Sequence, residues 1–205
     1  MWSSEVTNMI ITGIWETLYM TLVSTLVGYV IGLPMGIILT VSDKDGIKPN
    51  AVLYKILDVI ANIVRSVPFI ILLVLLIPFT RLVVGKSYGS TATIVPLVIA
   101  AAPYIARMVE SSLKEVDAGV IEAARSMGAS NFTIITKVML VEARTSLLVG
   151  ATITLGTILG YSAMSGAVGG GGLGAIAIRY GYTRWQTDIM IVTVLLLIIL
   201  FQIFQ

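Results

Sequence analysis

Long apolar runs separated by short polar segments dominate this chain of 205 residues. A membrane-spanning helix needs about 20 mostly apolar residues, and five stretches meet or approach that length. They are residues 17–42, 56–79, 87–106, 145–168 and 189–205. The pattern therefore predicts an all-α, polytopic membrane protein with five transmembrane helices, folded as a single domain over residues 1–205 and embedded in a lipid bilayer.

The fourth apolar run, residues 145–178, is too long to cross the bilayer as one straight helix. At about 1.5 Å rise per residue it would reach roughly 50 Å, against about 30 Å of hydrocarbon. Four consecutive glycines at 169–172 mark the place where a helix should break. We therefore expect a helix up to Val168 and a loop or re-entrant turn over residues 169–178.

Lysine and arginine residues predict the orientation, because cytoplasmic loops of membrane proteins are enriched in them. The segments after the first and third spans carry eight basic residues, whereas the N-terminal arm and the other two loops carry four. This places the N-terminus outside and the C-terminus in the cytoplasm. Residues 1–16 contain Glu5 and Glu16 but no basic residue, so no secretory leader is expected.

Composition excludes several classes of chemistry. The chain is 57% hydrophobic and 12% charged, and it has neither cysteine nor histidine. Disulfides, thiol chemistry and histidine acid–base catalysis are therefore excluded. The formal net charge of +2 argues against a nucleic-acid partner. No catalytic constellation, cofactor site or metal site is predicted, and we do not expect the chain to be an enzyme.

One short motif imitates a nucleotide site. Gly85, Lys86 and Ser87 match the end of a phosphate-binding P-loop, but Thr80 stands where that motif requires a glycine.

The predicted spans also place no acid or base at mid-depth, where ion-coupled carriers hold their functional charges. We expect the energy for any transport to come from another protein.

Small residues recur every four positions in two spans: Gly28, Gly32 and Gly36 in the first, and Gly156 and Gly160 in the fourth. Such spacing lets helix backbones approach closely in lipid. We favour packing within one subunit, and the alternative is a dimer face.

The segment 107–144 is charged yet balanced, with five basic and five acidic residues. A lipid-binding segment would carry an excess of basic residues. Balanced charge favours a protein partner over lipid, and the alternative is a helical hairpin lying on the membrane surface.

Within this segment we predict two short helices joined by a corner. Residues 120–127 are good helix formers, and Gly128 follows as a stop signal. Ser130 is then placed to cap a second helix. That helix would present one apolar face formed by Phe132, Ile135 and Met139.

The corner resembles the EAA loop of ABC importer permeases, through Glu122, Ala123, Ala124, Gly128 and the aliphatic element at 138–140. The family pattern ends in proline, whereas Val141 stands at that position here. In such permeases the loop docks into a groove on an ATPase subunit. The resemblance implies close packing at Ala123 and Ala124, polar contacts from Glu122 and a turn at Gly128.

Further motifs resemble the methionine-importer permeases within that superfamily. They are the segments 65–69, 102–107 and 160–164, together with the glycine run at 169–174. The resemblance implies a type I ABC importer permease fold in a bacterial inner membrane. It also implies a homodimer, two cytoplasmic ATP-binding subunits that hydrolyse the ATP, and an extracytoplasmic methionine-binding protein.

By the same resemblance, Tyr161, Ser162, Ala163 and Met164 lie near the translocation pathway. Met164 is a candidate gate residue that could meet its symmetry mate on the dimer axis, since methionine is flexible and apolar. The alternative is ordinary packing. Three other functions stay open at this point: a permease for another amino acid or small solute, an ion-coupled secondary carrier or channel, and a purely structural membrane scaffold.

Overall fold

The computed structural model describes residues 4–205, and these residues form helices and turns with no strand among them. The α-helices are α1 (Ser4–Ser42), α2 (Ala51–Ser66), α3 (Phe69–Leu75), α4 (Ile77–Val84), α5 (Ser90–Lys114), α6 (Ala118–Ser126), α7 (Asn131–Thr133), α8 (Leu140–Glu142), α9 (Arg144–Ser165), α10 (Gly172–Ile176) and α11 (Thr187–Phe204). Two π-helical segments, Ile134–Met139 and Ala177–Tyr182, continue α7 and α10. The all-α prediction is confirmed.

Four helical stretches in the described chain are long and apolar enough to cross a membrane: Ser4–Ser42, Ser90–Lys114, Arg144–Tyr182 and Thr187–Phe204. A bent pair, α2 with α3, brings the number to five if it counts as one span. This agrees with the five spans expected from the apolar runs.

Two helices extend well beyond their apolar runs. α1 begins at Ser4 rather than near residue 17, and α5 continues to Lys114 rather than ending near residue 106. Apolar length reports only the part of a helix that lies in hydrocarbon, whereas backbone hydrogen bonding continues into water. In α5 the continuation is supported by i,i+3 and i,i+4 ion pairs of Glu110 with Arg107 and Lys114.

The second predicted span, residues 56–79, is interrupted. α2 and α3 meet at an angle of 102° across Val67 and Pro68. Proline lacks an N–H and disfavours the helical conformation at the residue before it, so the helix ends there. A second proline, Pro78, lies in the first turn of α4, where proline is tolerated.

The glycine run makes the expected turn but a shorter one than predicted. α9 ends at Ser165, a 3₁₀ turn covers Gly166–Val168, and Gly169 and Gly171 have φ of 83° and 88°. The predicted loop over residues 169–178 is wrong, because α10 begins already at Gly172. A left-handed pair of glycines reverses the chain within a few residues, so helix resumes at once.

The reversal forms a helical hairpin with almost no space between its arms. An ideal Cβ built on Gly174 would collide with the backbone of Ala163. One built on Gly166 would collide with the backbone of Gly174 and Ala175. The segment after the turn therefore folds back directly on the end of α9, as a re-entrant turn would.

The chain divides into two compact units, Met1–Val27 with Val67–Ala101 and Thr154–Gln205, and Gly28–Ser66 with Ala102–Ile153. In the first unit, Ile10, Leu173, Ile176 and Ile189 form a buried apolar cluster. The prediction that residues 1–205 form a single domain stays a prediction.

Glycine packing inside the second unit explains part of the small-residue pattern. An ideal Cβ on Gly32 would lie 2.6 Å from Ala102 O on α5. One on Gly36 would lie 2.7 Å from Val109 Cβ on the same helix. In the first unit, Gly156 packs on the ring of Phe201. Packing within one subunit is confirmed at these glycines, whereas Gly160 has no atom near its ideal Cβ.

Candidate coupling and translocation sites

The predicted corner between two short helices exists. Asp117 caps α6 by accepting a hydrogen bond from Gly119 N at 2.7 Å, which the sequence reading missed. α6 ends at Ser126, and Gly128 has φ of 79° with no atom within 4 Å of an ideal Cβ. Glycine is therefore suited to this position by its backbone conformation and not by lack of space.

The residues of the EAA motif divide between two faces of α6. Ala124 is buried, whereas Glu122 and Ala123 are exposed. Ala124 thus packs within the chain, and Glu122 and Ala123 are available to a partner. On the same helix, Arg125 donates a hydrogen bond to Ile47 O at 3.0 Å and joins α6 to the loop between α1 and α2.

The second helix of the corner is capped as expected but wound differently. Ser130 Oγ accepts a hydrogen bond from Thr133 N at 3.2 Å. The predicted apolar face of Phe132, Ile135 and Met139 is wrong. The helix is π-helical over Ile134–Met139, so residues five apart share a face, and Ile134 and Met139 are the buried pair.

The corner also carries an apolar surface, formed by Met127 and Phe132, whose side chains are 82% and 75% exposed. The corner lies in the charged segment between spans and outside the apolar runs. Large apolar side chains facing water mark interaction sites. We name Met127 and Phe132 the corner surface.

An ion-pair network centred on the buried Glu110 lies at the end of α5 and was not predicted. The Glu110 side chain is 6% exposed, and its carboxylate accepts hydrogen bonds from Arg107 at 2.6 Å, Lys114 at 2.8 Å and the Tyr54 hydroxyl at 3.2 Å. The i,i+3 and i,i+4 spacing of these charges on one helix was the available signal.

The network continues from α5 to two other elements. Arg107 also donates to the carboxylate of Asp58 and, at 3.0 Å, to Asn62 Oδ1, both on α2. Lys114 donates to Asp43, just past the end of α1, at 2.7 Å. The hydrogen bond from Lys114 lowers the pKa of Asp43 below its usual value, and burial only partly opposes this.

The four residues predicted to lie near the pathway do not share one surface. Ser162 is buried and donates to Leu159 O at 2.8 Å, and Ala163 packs on Gly174. Tyr161 is half-buried, and the Met164 side chain is 52% exposed. Consecutive helix positions are rotated by about 100° from one another, so only some of them can face one pathway.

The end of the hairpin is anchored on two sides within the first unit. Glu16 Oε2 accepts a hydrogen bond from Gly172 N at 2.7 Å, and Thr17 Oγ1 accepts one from Leu173 N at 2.9 Å. On the other side, Gly89 N donates to Gly169 O at 2.9 Å, and Thr93 Oγ1 donates to Gly170 O at 3.2 Å. The glycine run is therefore a fixed turn.

Comparison with known proteins gives the family. Residues 28–205 match the family described as "Binding-protein-dependent transport system inner membrane component". The chain belongs to this family. This permease is thus a transport component of an inner-membrane family, and its several apolar helices agree with a multi-pass membrane protein.

Relatives match the permease over most or all of its length. A "Probable D-methionine transport system permease protein MetI" of Vibrio cholerae is 50% identical over 204 residues, 100% of this chain and 91% of the relative. The "D-methionine transport system permease protein MetI" of Escherichia coli K12 is 53% identical over 158 residues, 77% of this chain and 73% of the relative.

Solved structures give the same fold. A chain from "Inward facing conformations of the MetNI methionine ABC transporter" superimposes with a TM-score of 0.98 at 51% identity, covering 100% of the permease and 94% of that chain. A chain of "an amino acid ABC transporter with histidines" superimposes with a TM-score of 0.79 at 22% identity and shows the fold alone. The predicted type I ABC importer fold is confirmed.

Proposed function

We propose that this permease is the membrane subunit of an ATP-driven methionine importer. The observation that carries the proposal is similarity over the whole chain to a D-methionine permease. The chain also superimposes on the MetNI chain with a TM-score of 0.98. The family is one of binding-protein-dependent transport, which favours an ABC importer over an ion-coupled carrier.

The complete importer would contain two copies of the permease, two cytoplasmic ATP-binding subunits and an extracytoplasmic methionine-binding protein. The ATP-binding subunits hydrolyse ATP, and the permease itself is not an enzyme. With the N-terminus outside and the C-terminus in the cytoplasm, the corner surface faces the ATP-binding subunits. Two copies are needed because the pathway lies along the dimer axis.

The corner around α6 is the proposed site of coupling. Exposed Glu122 and Ala123 would contact the ATP-binding subunit, buried Ala124 holds α6 on its own unit, and Gly128 makes the turn. Met127 adds apolar area at the same place. When ATP closes the ATP-binding subunits, the two corners are drawn together and the membrane helices move with them from an inward- to an outward-facing state.

The end of α9 is the proposed site of the gate. Met164 is the exposed member of the four candidates, and its flexible side chain suits a closure against its symmetry mate. Ser162 and Ala163 instead set the position of this segment through contacts within the chain, and Tyr161 does so through its ring contact with Phe69.

The test is transport by the reconstituted complex. The permease, the ATP-binding subunit and the binding protein are placed in proteoliposomes, and uptake of labelled methionine is measured with a panel of other amino acids. We expect ATP-dependent uptake of methionine that needs all three proteins. Stimulation of ATP hydrolysis by another amino acid but not by methionine would overturn the cargo, and uptake by the permease alone under an ion gradient would overturn the class.

A further inference from the structure

The network around Glu110 ties together elements that are separate along the chain. Arg107, Glu110 and Lys114 lie on α5, Tyr54 and Asp58 lie on α2, and Asp43 follows α1. Glu110 is the member that touches both bases and Tyr54. Removing its charge would leave Arg107 and Lys114, whose side chains are 18% and 42% exposed, with only their outer partners.

Such a network is costly if its only task is stability. Buried charges lose hydration, and replacing a buried ion pair by apolar residues is often neutral or stabilising. A network of this kind fixes the relative positions of the helices that it joins. The planar guanidinium of Arg107 makes directional hydrogen bonds, and apolar packing alone is not directional. The observed geometry joins α2 to α5 through Arg107 and joins α5 to the end of α1 through Lys114.

The corner is hydrogen-bonded to the loop that begins with Asp43 of this network. Arg125 of α6 donates to Ile47 O, in the loop that begins at Asp43. This loop is closed by its own backbone hydrogen bonds, from Lys48 N to Val41 O at 3.1 Å and from Asn50 N to Ser42 O at 2.9 Å. A displacement of α6 therefore passes to a closed loop, and from it through Asp43 to the charges on α5.

We infer that Glu110 is a positioning residue for energy coupling. Its carboxylate holds α2, α5 and the loop at 43–50 as one block, so that motion of the corner reaches the membrane helices without being absorbed locally. This inference rests on the proposed function and adds to it a residue outside the docking and gate sites.

The deciding measurement is methionine transported per ATP hydrolysed, in proteoliposomes holding the complete complex. Glu110→Gln is nearly isosteric and removes the charge while keeping an oxygen for Tyr54. We expect the ratio to fall about five-fold or more, the lower end of typical coupling between sites, while ATP hydrolysis persists. A ratio equal to the wild type, or transport and hydrolysis falling in step, would overturn the inference.

Asp188→Asn is the matched control, since Asp188 is an exposed carboxylate in the first turn of α11, outside both the network and the loop at 43–50. It should leave the ratio unchanged. If Glu110→Gln yields no complex, Asp58→Asn decides, because it removes one partner of Arg107 at a carboxylate that is 29% exposed, against 6% for Glu110. A lowered ratio supports the inference and an unchanged ratio overturns it.

The two proposals fail in different ways. A wild-type complex that hydrolyses ATP but does not import methionine overturns the proposed cargo. A wild-type complex that imports methionine, with a Glu110→Gln ratio equal to its own, overturns the inference and leaves the proposed function standing.

Discussion

The ring of Phe69 stacks on the ring of Tyr161, with centroids 4.5 Å apart and planes 2° from parallel. Phe69 is the first residue of α3, directly after the break at Pro68, and Tyr161 lies three residues before Met164 on α9. The bend in the second span thus ends against the helix that carries the proposed gate. The contact gives Tyr161 a positioning role that its sequence motif did not indicate.

Replacing Phe69 by leucine should destabilise the permease while Tyr161→Phe should not. Phe69→Leu loses the stack, which is worth about 0.5–1.5 kcal/mol beyond the buried area, whereas Tyr161→Phe keeps both rings. The measurement is thermal unfolding in detergent, followed by methionine uptake. If Tyr161→Phe proved the more damaging change, the hydroxyl and not the stack would be the important feature.

The hairpin after α9 should tolerate no side chain at Gly174. Gly174→Ala would push a methyl group into the backbone of Ala163. The free energy of unfolding should therefore fall by at least the ~1–3 kcal/mol typical of overpacking. Gly160→Ala on the same hairpin arm is the control, since nothing lies within 4 Å of its ideal Cβ and alanine favours helix. If Gly160→Ala lowered the free energy of unfolding as much as Gly174→Ala does, a second subunit would have to cover Gly160.

The turn at Gly128 should depend on backbone conformation alone. Because no atom lies near its ideal Cβ, Gly128→Ala should cost only the left-handed penalty of about 1–2 kcal/mol. Gly128→Asn should cost less, since asparagine adopts this conformation more readily. The measurement is the stimulation of ATP hydrolysis by the binding protein. We expect this stimulation to be highest with Gly128, lower with Gly128→Asn and lowest with Gly128→Ala. Equal activity in all three would show that the turn is not needed for coupling.

The corner surface should matter for assembly and not for folding. Met127→Ser and Phe132→Ser remove exposed apolar side chains, so the permease should fold normally while less ATP-binding subunit co-purifies with it. Leu82→Ser is the control, because Leu82 is 86% exposed and lies in α4, outside the charged segment that holds the corner. Undiminished co-purification with both corner variants would move the docking site elsewhere.

The apolar runs and local signals predicted much of the fold. Spans, the turn at Gly128 and the cap at Ser130 follow from the length of apolar segments and from the chemistry of single residues, so they can be predicted without knowing any partner. Local signals were too weak to predict two features: the π-helical winding after Thr133, which buries Ile134 and Met139, and the early restart of helix at Gly172.

The candidate site was predicted less completely than the fold. Glu122, Ala123, Ala124 and Gly128 occupy one corner as expected. The network of Glu110 was missed, because the sequence shows the spacing of its charges on α5 and not the approach of α2.

The sequence by itself determined that this chain spans a membrane, that its fourth apolar run breaks at the glycines and where its charged corner lies, because hydrophobic length and turn chemistry act over a few residues. Tertiary structure decided which distant groups meet: Phe69 with Tyr161, Arg107 with Asp58, and Glu16 with Gly172 across 156 positions. Those pairings depend on how whole helices pack, since a contact of this kind forms only after the helices that carry its two residues have been placed.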